Sequence, residues 1–143
     1  MQILNQVCSL ELSKQLKELE VEQESLWWWN RQTKEIYSTD AKIRLLDVWS
    51  STAYYSAFTV AELGEMLPDC IKTDSRAIID GEIRFLHISR DKQDNNHFID
   101  YLPLDFNSED EEESKTMVCC DTEADARAKM IIYLIENKLI TNK

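Results

Sequence analysis

The chain has 143 residues, 43% of them hydrophobic and 30% charged, with a formal net charge of −11. That length and apolar fraction suit one domain, residues 1–143, around one core, and so negative a molecule repels nucleic acid and membrane surfaces while attracting basic partners. With two glycines and two prolines there is no Gly-rich phosphate loop, and the aliphatic run MIIYLI falls far short of the roughly 20 residues of a membrane span.

The opening residues, MQILNQVCSLELSKQ, lack a basic stretch followed by an apolar run, so no secretory leader is expected and the cytoplasm is the default compartment. Leu12, Leu16 and Leu19, extended by Cys8, recur at helical spacing. They predict a helix from Ser9 to Leu19, with Ser9 as N-cap and Glu11 favouring the positive helix start. SLWWWN is short and aromatic, which favours a strand. Alternation then puts Trp27 and Trp29 on one face, expected in the core, and Leu26 and Trp28 on the other. Trp28 is thereby left open as a partner anchor, because tryptophan is enriched at interaction hot spots. RQTKEIYSTD reads as the return strand of a hairpin, and AKIRLLDVWSSTAYYS mixes two periods, with a lean towards strand for Lys42–Trp49.

TVAELGEMLP carries the clearest local signal. Thr59 and Glu62 have capping-box spacing, Val60, Leu63 and Leu67 form a stripe, and Pro68 stops the helix. Gly64 costs up to ~1 kcal/mol inside a helix, which a close helix–strand approach would offset. RAIIDGEIRFLHISRD reads as a β-hairpin turning at Asp80-Gly81. HFIDYLPL is a further strand, SEDEEES an exposed acidic loop near 107–115, and TMVCC a short strand. Thr122 opens the last helix, about Glu123 to Asn137, with Ala124, Ala128, Ile131, Ile135 and Leu139 on one face and Asn137 as its left-handed end. The expected class is α+β: an antiparallel sheet of about 4–6 strands with three helices, ordered α-β-β-α-β-β-(β)-α.

Chemistry-bearing patterns are few. Cys8, Cys70, Cys119 and Cys120 lack the paired spacing of a zinc module, and Cys119-Cys120 reads as two small buried hydrophobes in a reducing compartment. His87 and His97 have no nucleophile motif or metal-ligand partner at recognisable spacing. Asp91, Asp94, Asn95 and Asn96 fail the calcium-loop pattern, which needs glycine at its sixth position and glutamate at its twelfth. Asp100 and Asp105 form a carboxylate pair with no inferable pocket. No catalysis, cofactor or metal is expected.

Charge is the main clue. From Asp91 to Asp125 there are 12 acids against Lys92 and Lys115, a balance of −10; the other 108 residues hold 15 acids and 14 bases, a balance of −1. One reading of this run is a solvated loop. The sharper one is that Asp105, Glu109, Asp110, Glu111, Glu112 and Glu113 stand in for nucleic-acid phosphates and occupy a basic channel of the kind guided nucleases use for their heteroduplex.

As a set, VCSLELSKQLKELEVEQESLWWW, AFTVAELGEMLP and EADARAKMIIYLIENKLI resemble the beginning, middle and end of a group of small proteins from phages and mobile elements of gut bacteria. The resemblance implies a phage or mobile-element origin and brings no catalytic residues. This chain departs from the pattern at Glu20, where the group tends to have glycine, and at Trp27-Trp28-Trp29, where it has Phe-Tyr-Trp. SEDEEES lies outside the pattern.

Together these features lead to the expectation of a non-enzymatic phage-derived protein that inhibits a host defence nuclease, of the anti-CRISPR type. It would act in the host bacterial cytoplasm as a monomer or small homo-oligomer, binding a basic protein rather than nucleic acid or membrane. The alternative is a structural or regulatory accessory protein of the mobile element, working through protein–protein contacts.

Overall fold

The computed structural model describes residues 2–41, 54–73, 82–103 and 117–140. In chain order these form α1 (Leu10–Glu18), β1 (Trp27–Asn30), β2 (Ile36–Ser38), β3 (Tyr54–Ser56), α2 (Val60–Met66), β4 (Cys70–Thr73), β5 (Glu82–Arg90), β6 (His97–Pro103), β7 (Val118–Cys120) and α3 (Glu123–Glu136). The α+β class is as expected. The strands, however, form two antiparallel sheets rather than one, ordered β2-β1-β3 and β4-β5-β6-β7. The strand favoured for Lys42–Trp49 lies outside the described residues.

The tryptophan strand folds as its alternation predicts. Trp28 pairs with Tyr37 and Ser56, while Trp29 pairs with Ile36 and Tyr55, so neighbouring tryptophans point to opposite faces. On one face Trp29 packs with Val7, Tyr55 and Ala57, with Trp27 half-buried beside them; on the other Trp28 packs with Tyr54 and Tyr37. The hairpin turn is organised by buried Asn30, whose Oδ1 accepts the Gln32 and Thr33 amides at 2.8 and 3.1 Å. This is the local bonding that favours asparagine in turns.

The main core lies between the three helices and the inner face of the second sheet, where Leu16, Phe58, Leu63, Ile99, Tyr101, Met130 and Leu134 are fully or almost fully buried. α3 contacts β6 and β7 as well as α1 and α2. Its buried arc is therefore wider than the single stripe read from the sequence, adding Ala126, Met130, Ile132 and Leu134. A half-buried polar contact ties it to α1: the Ser9 amide donates to Asp125 Oδ1 at 2.7 Å, while the Asp125 amide donates to Thr122 Oγ1 at 3.2 Å. Ser9 is the α1 N-cap by position but makes no side-chain cap bond; a carboxylate from the other end of the chain faces that helix start, where negative charge is favoured.

The capping box of α2 is present in both directions, Thr59 Oγ1 accepting from the Glu62 amide at 3.2 Å and Glu62 Oε2 from the Thr59 amide at 2.7 Å. Glu62 does more than cap. Its Oε2 also accepts from the Ser25 hydroxyl at 3.0 Å, and its Oε1 from the Leu26 amide at 3.0 Å, so one carboxylate fixes the approach to β1 against α2. Glu62→Ala is expected to lower the unfolding free energy by about 2 kcal/mol, the sum of a lost cap and lost bonds to a charged acceptor. Glu62→Gln should lose about half of that, read from urea unfolding midpoints.

Two helix ends share one device. After α1, the Glu20 amide bonds to Lys17 O and the Val21 amide to Leu16 O; after α3, the Lys138 amide bonds to Ile135 O and the Leu139 amide to Leu134 O. Both are Schellman motifs, with Glu20 (φ 63°) and Lys138 (φ 56°) in the left-handed region. The left-handed residue of α3 is thus Lys138 rather than Asn137, whose φ is −91°. A side chain costs energy in that region, so Glu20→Gly and Lys138→Gly should each stabilise by about 1 kcal/mol, visible as additive rises in unfolding midpoint.

Gly64 answers to a helix rather than a strand: a Cβ there would collide with the Arg127 guanidinium, which bonds to Glu123 at 2.9 Å along the same face of α3. β4 and β5 do pair, Thr73 opposite Glu82 through Cys70 opposite Phe85. Glu82 thus has Thr73 as its partner rather than a residue just before Asp80-Gly81, so β5 does not turn back on its immediate predecessors; residues 74–81 lie outside the described ones.

Candidate functional site

The carboxylates singled out in the sequence, Asp105 and Glu109, Asp110, Glu111, Glu112 and Glu113, lie outside the described residues. What the fold fixes is where their segment is rooted. β6 ends at Pro103 and β7 begins at Val118, and the two strands pair antiparallel, Ile99 opposite Val118. The connection thus leaves and rejoins one end of the second sheet. Residues 74–81 join β4 to β5 at that same end.

Trp28 is not the exposed anchor considered from the sequence. It is 7% exposed, its indole N–H donates to Thr39 Oγ1 at 3.2 Å, and its ring is closed in by Tyr54 and Tyr37. The physical reason is that the second face of the first sheet has its own aromatic cluster, in which Tyr37 and Tyr54 meet edge to face at 6.5 Å.

Besides Leu4 and Leu26, the exposed large apolar side chains among the described residues lie on or beside the second sheet. In the second sheet, paired residues share a face. Ile99 and Tyr101, both in the core, pair with Ile88 and Leu86. The opposite face carries Cys70, Phe85 and Leu102 in one row, with Lys72 and Ile83 beside it. No helix of the core cluster stands over this row. Ile83 is 54% exposed and Phe85 42%, and Met117, one residue before β7, is 54% exposed. Sequence reading missed these three because EIRFLHIS carries large apolar side chains at both parities, so the pattern alone does not say which set faces inward.

Farther along the same face, exposed His87 stands opposite Asp100. His97 is on the inner face opposite Arg90 and Cys120. It lines a polar cleft of about 530 Å³ with Arg90, Asp121, Glu123 and Asn95. The structure therefore separates the two histidines to opposite faces. The Asp91–Asn96 turn consumes its own polar groups: Asp91 Oδ1 accepts the Gln93 amide at 2.7 Å, the Asp91 amide donates to Asn96 O at 2.9 Å, and Arg90 donates to Asn95 Oδ1. Among the described residues no group of three or more His, Cys, Asp or Glu is placed to hold a metal ion, and no helix is long and apolar enough to cross a membrane.

All four cysteines are free thiols. Cys8 and Cys120 are buried, but Cys119 is exposed, correcting the reading of the adjacent pair as two buried residues: neighbours on a strand face opposite ways. Desolvation pushes the Cys8 thiol up to about 11 from 9.0, against the lowering effect of its bond with Ser13. The Tyr101 phenol is raised as well, by burial and then by Asp69 and Cys70. A group raised on folding lends stability in full below its unfolded value and loses it as pH rises towards the folded one. Stability should therefore fall between pH 9 and about 11. The decline should be shallower in Cys8→Ala, measured by urea unfolding at stepped pH.

Compared with protein-family models, with curated proteins and with solved structures, the chain matches none of them.

Proposed function

We propose that the protein is a non-enzymatic binding protein of phage or mobile-element origin that inhibits a host defence nuclease of the CRISPR type. It offers carboxylates where the nuclease would hold nucleic acid. The observation that carries this reading is the distribution of charge, −10 within residues 91–125 and −1 in all the rest. A molecule so polarised is steered towards a cationic groove, and a nuclease channel that holds a guide–target heteroduplex is such a groove. The resemblance to phage and mobile-element proteins supplies the setting, the host bacterial cytoplasm.

The experiment is a DNA-cleavage assay with purified guide-loaded nucleases of the host, the protein being added in increasing ratio and the salt titrated from low to moderate. Inhibition that weakens steeply with salt is expected, since exposed charges are screened over roughly 8–10 Å at physiological ionic strength. Cleavage untouched at a large excess of protein in low salt would rule the reading out.

A further inference from the structure

Separate stretches of the chain meet around the polar cleft that His97 lines: residues 5–6, the start of α2 at Val60, the turn from β5 into β6, and the start of α3. Backbone bonds hold these walls in place. The Val60 amide donates to Gln6 O at 3.0 Å, and the Asp91 amide closes the turn on Asn96 O at 2.9 Å. At about 530 Å³ the space falls within the range of small-molecule pockets, roughly 300–1,000 Å³. Such pockets are mostly apolar. Here Val60 is the only aliphatic lining residue among the described residues, so an occupant has to bring polar groups of its own.

The charges stand on separate walls. Register puts Arg90, His97 and Cys120 in one row across β5, β6 and β7, and Asp121 follows Cys120. Neighbouring strands lie about 4.8 Å apart, so the backbones of Arg90 and Cys120 are about 10 Å apart. Among the described residues the ion pairs are Lys14–Glu18 and Glu123–Arg127. Arg90 and Asp121 therefore do not neutralise each other. Arg90 donates to Asn95 Oδ1, which steadies the guanidinium and leaves its other N–H groups to donate. Glu123 is held by Arg127 at 2.9 Å, which leaves Asp121 as the carboxylate open to a ligand. A simple anion drawn to Arg90 would also meet Asp121, and a simple cation would meet Arg90. A molecule with a negative and a positive end satisfies both walls.

We infer that this cleft binds a small zwitterion, an amino acid or a short peptide, with its carboxylate on Arg90 and its ammonium on Asp121. His97, between the two along the cross-strand row, faces the middle of such a ligand. This binding is independent of any nuclease target.

The test is a calorimetric and NMR titration of the full chain with defined probes: glycine, triglycine, triglycine acetylated at its amino end, and triglycine amide. Glycine and triglycine stand for the two sources, free amino acids and peptides, and whichever binds more tightly gives the length that the cleft takes. A dissociation constant on the order of 1 mM is expected for the better probe, with the amide signals of Arg90, His97 and Asp121 moving together. Capping either end of triglycine should weaken binding by about ten-fold, the loss of one hydrogen bond between charged groups. Asp121→Asn should remove the discrimination against the acetylated probe, and Arg90→Gln the discrimination against the amide. Both positions are exposed, and circular dichroism confirms that the variants are folded. No saturable binding of either uncapped probe, equal binding of capped and uncapped triglycine, or discrimination that survives in both variants would overturn the proposal.

Discussion

Trp29→Ala is expected to lower the unfolding free energy by about 3–5 kcal/mol, the range for truncating a buried large aromatic. The side chain is 8% exposed and packs with Val7, Tyr55 and Ala57. Its indole N–H donates to the Cys8 carbonyl at 2.9 Å, and the Cys8 amide in turn donates to the Phe58 carbonyl at 2.9 Å. Alanine would leave both a void and a buried carbonyl without that donor, two separate costs. Trp29→Phe isolates the second and should cost about 1–2 kcal/mol. Against a total of roughly 5–15 kcal/mol for a domain of this kind, the alanine variant should unfold at markedly lower urea concentration. Trp27→Ala, at a half-buried position, should do less; an equal effect at the two positions would contradict this account of the first sheet.

Neutralising the acidic run should act on association and leave stability almost unchanged. Changing Glu109, Glu111, Glu112 and Glu113 to glutamine and Asp110 to asparagine takes the net charge from −11 to −6. Electrostatic steering raises association rates by about 10- to 1,000-fold, so inhibition of a basic target at low salt should be lost or fall by at least about ten-fold. The residual binding should vary little with salt. The two halves of the prediction are measured separately, by cleavage assay and by association rate across a salt series. Unaltered potency would show that the carboxylates are not what the target sees, even if the protein inhibits.

The contrast between these two variants mirrors what the amino-acid sequence discloses. Features written within a few residues could be read directly. Thr59 and Glu62 are three residues apart, and the bonds of the capping box are those their spacing implies. The alternation of Trp27, Trp28 and Trp29 likewise gave the faces of β1 correctly. Features that depend on distant elements could not be read. The carboxylate of Asp125 has the spacing to complete a box with Thr122, yet it reaches Ser9 across 116 residues. Trp28 is buried because residues far along the chain bring Tyr54 to its face. The division into two sheets follows from β3 pairing with β1, which nothing local announces. The outer row of β5 was hidden for a related reason: which parity of EIRFLHIS faces inward is settled by where α3 lies, not by the strand itself.

The tie between Ser9 and Asp125 also bears on how the molecule is made. Ribosomes deliver roughly 5–20 residues per second, so the 116 positions between the two partners take about 6 to 23 s to make. For that interval α1 has its leucine stripe ready and nothing in α3 to bury it against. Packing of α1 must therefore wait until α3 has been made.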